Sequence, residues 1–176
     1  MKQIELQISL HKNKKYRIHV ERSTFLALQS KTAAEKWLRK YKKLIQSDVK
    51  QINFFIPQVY NLYRQNYFQF DDRTQREISQ YILNAEDRFN YIFKQFSDGN
   101  KNVFTFHNIE IVLSSIINAT STIYKYAQKS KNYPLLHLSE PLLALMLDFE
   151  KSHFKRKMSL KLDSSFNNIV ELKKAN

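Results

Sequence analysis

The first thirty residues alternate between apolar and polar, and the rest of the chain does not. In QIELQISL, residues 3–10, Ile4, Leu6, Ile8 and Leu10 share one side while Gln3, Glu5, Gln7 and Ser9 share the other. A period of two predicts a half-buried strand. HKNKK then reads as a polar turn bending at Asn13. YRIHVER alternates again, with Ile18 and Val20 inward and Arg17, His19 and Glu21 outward, and TFLALQ supplies a third strand. At Ser30–Lys31–Thr32 the period changes to that of a helix, and Thr32 with Glu35 has capping-box spacing. KTAAEKWLRKYKKLI, residues 31–45, places Ala34, Trp37, Leu38, Tyr41, Leu44 and Ile45 on one side. Lys36, Arg39, Lys40, Lys42 and Lys43 occupy the remainder. The expected unit is a β-β-β-α module over residues 1–46, its helix covering a small antiparallel sheet.

Beyond it every periodic segment is helical. Residues 47–68 are aromatic-rich, and Pro57 either starts a new helix or kinks a long one. Thr74 with Glu77 forms a second capping-box pair ahead of Ile78, Tyr81, Ile82, Ala85, Phe89, Ile92, Phe93 and Phe96. Gly99, the single glycine, falls where a helix ends. Phe106, Ile109, Leu113, Ile116, Ile123 and Ala127 mark another helix. A last one, LSEPLLALMLDFEKSHFKRK, is predicted to start at Ser139 as N-cap. It is apolar nearly all round through Leu147, which predicts a central buried helix. The expectation is therefore an α+β protein, mostly α: the module at 1–46, a helical bundle at 47–158 and a flexible basic tail at 159–176.

Composition narrows the classes. With 13 Phe and 10 Tyr in 176 residues a substantial core can form, and one Gly with three Pro argues against an all-β fold. The absence of Cys excludes disulfides, thiolate metal sites and cysteine nucleophiles, and favours an intracellular, non-secreted protein. The longest apolar run, Pro141 to Leu147, is far shorter than the roughly 20 residues a membrane span requires.

Charge changes the picture most. The formal net charge is +13, and it is concentrated at the ends: +9 in residues 1–50, −1 in 51–100, 0 in 101–150 and +5 in 151–176. A basic surface of this kind is the footprint expected of phosphate recognition. The candidate contacts are Lys12, Lys14, Lys15, Arg17 and His19 from the strands and their turn, and Lys36, Arg39, Lys40 and Lys43 from the helix. Lys155, Arg156 and Lys157 form a C-terminal cluster.

Enzyme chemistry has little to draw on. One Gly cannot build a phosphate-cradling loop, no Ser lies in an elbow motif, and acid pairs such as Asp71–Asp72 suit helix starts. The lone Glu150-x-x-His153 lacks the second copy and extra carboxylates of a di-metal bundle, so neither a metal nor another cofactor is expected.

Phe25 in the third strand, then Lys31, Thr32, Ala34, Glu35 and Trp37 in the cap and helix that follow, give the first quarter of the chain a further meaning. This arrangement resembles the small sheet-plus-helix modules of the AP2 domain and of the arm-binding domain of tyrosine-type integrases. The resemblance implies a sheet entering the major groove through Gln7, Arg17 and His19, with Lys12, Lys14 and Lys15 on phosphates. The expected function is a non-enzymatic accessory that binds DNA or RNA. The alternative is a structural or adaptor subunit of a phage, mobile-element or ribonucleoprotein assembly, contacting protein partners or itself through aromatic helices.

Overall fold

The computed structural model describes residues 8–10, 16–19, 25–28, 30–97 and 106–165, with side chains for 30–94 and 106–160. Four long helices make the fold: α1 (Lys31–Gln65), α2 (Asp72–Ser97), α3 (Phe106–Lys129) and α4 (Tyr133–Ser165). Among residues with described side chains, 94% are helical and none lies in a strand.

This corrects the expected fold class. The chain is a four-helix bundle, not an α+β protein built on an N-terminal sheet. Near the N-terminus only backbone is described, where β1 (Ile8–Leu10), β2 (Tyr16–His19) and β3 (Phe25–Leu28) pair antiparallel, with Ile18 opposite both Ile8 and Leu26. These segments are three or four residues each, and their side chains lie outside the described residues.

The physical reason lies in α1. Its apolar stripe was expected to cover a sheet, and α3 and α4 occupy it. Trp37 stacks on Tyr41 at 5.0 Å, Tyr41 meets the edge of Phe106 at 5.1 Å, and the Trp37 indole N–H donates to the Leu160 carbonyl at 3.3 Å. The stripe then continues without a break through Ile45, Val49, Ile52, Phe55, Val59 and Leu62, all buried. Pro57 neither starts nor ends a helix here. It lies inside α1 on the exposed side, where water can serve the carbonyl its missing N–H leaves open.

The helix starts differ from the expected caps. Ser30, not Thr32, caps α1, accepting from the Ala33 N–H at 3.1 Å. Asp71, not Thr74, serves α2, accepting from the Thr74 N–H at 2.8 Å. Asn132 serves α4 through the Leu135 N–H at 3.2 Å. Ser139 is instead buried inside α4, with its hydroxyl donating to the Leu135 carbonyl at 2.8 Å.

The expectation of a central buried α4 is also corrected. Leu135, Ser139, Met146, His153 and Leu160 are buried, with Leu142, Phe149 and Arg156 half-buried between them. Steps of three and four along one seam are the geometry of coiled-coil packing. Leu138, Leu145 and Leu147 fall outside that seam and are exposed.

The α1–α2 and α3–α4 turns meet at one end of the bundle. The Tyr126 hydroxyl donates to the Gln69 carbonyl, and Phe70 packs edge-on against Tyr126 at 5.1 Å. α3 closes with Lys131 in the left-handed region at φ 55°. There the Asn132 N–H reaches the Ala127 carbonyl at 2.9 Å and the Lys131 N–H the Gln128 carbonyl at 3.2 Å, a Schellman closure.

Candidate nucleic-acid interface

α1 carries eight basic residues and two acidic ones. Its inner stripe is fixed by the bundle, so the outward positions are decided as well. Lys36, Arg39, Lys40, Lys43, Ser47 and Lys50 are all exposed. Lys36, Lys43 and Lys50 are separated by two full turns each, and Arg39 lies one turn after Lys36, so the four share one side of the helix. Among the described residues none of these four is ion-paired to a carboxylate. Arg39 uses its Nε–H on the Glu35 carbonyl at 3.4 Å and remains exposed.

The two acids of α1 do not oppose this line. Glu35 is held by Lys31 at 4.0 Å. Asp48 is fully buried on the inner side. Its Oδ1 accepts from Arg156 at 2.5 Å and its Oδ2 lies 2.8 Å from His153 Nδ1. A carboxylate only accepts, so Nδ1 carries the proton. Glu110 of α3 completes the cluster, accepting from Lys157 Nζ at 2.6 Å, with its Oε1 3.6 Å from His153 Nε2. The Arg156 guanidinium also lies over the Phe149 ring at 5.4 Å. The cluster ties α1, α3 and α4 together.

The predicted site residues therefore divide. Lys36, Arg39, Lys40 and Lys43 are brought to one exposed side. Lys155 is exposed on α4. Arg156 and Lys157 are turned inward onto Asp48 and Glu110, so the C-terminal cluster is not a set of three outward cations. Arg17 and His19 lie in β2, whose backbone alone is described, and Lys12, Lys14 and Lys15 lie outside the described residues.

Two features escaped the sequence reading. Lys50 continues the line of Lys36 and Lys43 at the same heptad interval, a signal present in the sequence. Asp48 sits between Ile45 and Ile52 on the apolar stripe, and His153 sits midway between Met146 and Leu160 on the α4 seam. A charged residue at a stripe position is the signature of a buried pair.

His153 is 1% exposed, so its ring is closed to a substrate. Glu150, its sequence partner in the Glu-x-x-His pair, is exposed to solvent. Among the described residues no group of three His, Cys, Asp or Glu is placed to hold a metal ion, and no helix is long and apolar enough to cross a membrane. Set against family models, curated proteins and solved structures, the chain matches none.

Proposed function

We propose that this protein binds the phosphate backbone of nucleic acid through the outward side of α1. The observation that carries the reading is the exposed line Lys36, Arg39, Lys43 and Lys50, which faces no carboxylate among the described residues. Cations held on a rigid rod meet phosphates without the ordering cost of a loop, and each contact releases condensed counterions. Lys40 and Lys42 add to the same field.

The test is binding across a salt series. Four phosphate contacts give a slope of log K against log salt of about −3. Replacing Lys43 and Lys50 by Ala should halve that slope, while Lys157→Ala, which removes an inward cation, should leave it unchanged. Absence of salt-dependent binding to any nucleic acid would end this reading.

A second reading has its own observation. α4 leaves Leu138, Leu145 and Phe154 exposed, and Phe68 at the bundle end is 95% exposed. Such residues suit a protein partner, as in an adaptor subunit. That reading requires the isolated chain to self-associate or to bind an apolar dye, and Leu138→Gln with Leu145→Gln to abolish the effect.

A further inference from the structure

We infer that the strand held on α1 is unpaired, with Phe54 as a stacking platform where the line of cations ends. This rests on the phosphate-binding reading of the same helix. Phe54 follows Lys50 by one turn on the same side and is 51% exposed. It does not belong to the core. Its neighbour Phe55 is fully buried and meets Phe149 edge-on at 5.7 Å, taking the inward position. Phe54 touches that pair only at an angle, its ring 5.8 Å from Phe55 and tilted by 59°. One ring edge is thereby steadied from beneath while much of the ring stays open.

The side-chain order along this side is specific. From Lys36 to Lys50 it is cationic but for Ser47. It then passes to Phe54 and on to Gln58, Asn61 and Gln65, all exposed, with Phe68 just past the helix end. Cations meet phosphates, an aromatic ring meets a base face, and amides can pair with the edges of bases that lack a partner strand. A duplex offers phosphates, and its groove edges can meet amides, but it offers no open base face. Its bases are stacked on each other and present no face to Phe54 except at an end.

Shape leads to the same choice. The cations run straight for about 21 Å at 1.5 Å per residue. A duplex backbone winds away from such a line after a few phosphates. A flexible single strand can follow it, and cations along the backbone with an aromatic ring for the bases are how single strands are held without sequence preference.

The experiment uses the full chain and fluorescein-labelled oligothymidine, oligouridine and a mixed-sequence duplex of equal length, followed by anisotropy over a salt series. The single strands should bind more tightly than the duplex, and the two single-strand arms distinguish DNA from RNA. Phe54→Ala should weaken single-strand binding at least about fivefold, the lower end of the stacking contribution per base. It should leave the salt slope and duplex binding unchanged. Phe54→Trp should restore the affinity, and it guards against a folding defect in Phe54→Ala. Duplex binding equal to or tighter than single-strand binding, or full single-strand affinity in Phe54→Ala, overturns this inference while the phosphate reading survives. No salt-dependent binding to any of the three probes overturns both.

Discussion

Removing the Asp48 carboxylate should destabilise the bundle more than any single surface charge. In Asp48→Ala, Arg156 and His153 both lose their acceptor. Arg156 is partly exposed, its side chain at 30%, so water replaces much of what it loses. His153 has no such recourse. Its side chain is 2% exposed and its Nε2 has no hydrogen-bond partner, so Nδ1–H would be stranded without an acceptor. Breaking a buried pair by deleting one partner costs about 3–5 kcal/mol, and the solvent available to Arg156 places this case near ~3 kcal/mol. For a chain of this length that corresponds to a fall in Tm of about 6–12 °C.

Urea unfolding followed by far-UV circular dichroism measures it, with the midpoint moving and the m-value constant. Lys151→Ala is the control. Lys151 lies 3.6 Å from Asp148 with both side chains more than 70% exposed, so its loss should stay within about 0.5 kcal/mol. Combining Asp48→Leu with His153→Leu removes both ends of the buried contact. It should recover most of the lost stability, because no polar atom of the pair is then orphaned. A cost below about 1 kcal/mol for Asp48→Ala would refute the claim that this cluster holds α1 to α4. A double variant as unstable as the single one would assign the cost to lost packing instead.

Two further outcomes are expected. Lys131→Gly should raise stability by about 0.5–1 kcal/mol in the same urea assay, because Lys131 holds φ 55° and glycine reaches that region without a Cβ clash. The Thr74 backbone N–H holds the Asp71 carboxyl below its ordinary value of 3.8. A carboxylate depressed on folding stabilises above the unfolded pKa, and the benefit is lost as pH falls through the lower folded value. The Thr74 amide proton should therefore titrate in NMR spectra with a midpoint below 3.8, and Asp71→Ala should abolish that transition.

What the sequence disclosed depended on whether the deciding partner was local. On α2 and α3 the stripes Ile78, Ile82, Ala85, Phe89 and Ile92, and Ile109, Leu113, Ile116 and Ile123, are buried where their spacing placed them. Caps were less legible. Thr32 and Thr74 have the right chemistry, but Ser30 and Asp71 have it too, and the choice depends on how the chain enters the helix. PLLALML has no polar side to set a phase, so only contact with α1 and α3 selects Met146 over Leu145. Arg156 and Lys157 read as outward cations because their acceptors, Asp48 and Glu110, are 108 and 47 residues away. The outward cations of α1 were legible as far as Lys43. Lys50 was lost at an assumed boundary between a module and a bundle, although α1 crosses that point as one helix.

The continuity of α1 makes its two sides separable by mutation. The inner side is fixed by packing and by Asp48, whose acceptors for Arg156 and His153 are shielded from solvent. The outer side carries Lys36, Arg39, Lys43, Lys50 and Phe54, whose exposed ends contribute little to the fold. Replacing an outer cation should then change affinity and salt slope at nearly constant Tm, with each surface change worth within about 0.5 kcal/mol. Replacing Asp48 should change Tm and leave the cations of any surviving folded molecule in place. If both sets of variants moved stability and binding together, the cations would have to be part of the packing, and the exposed line along α1 could not be an independent phosphate-binding surface.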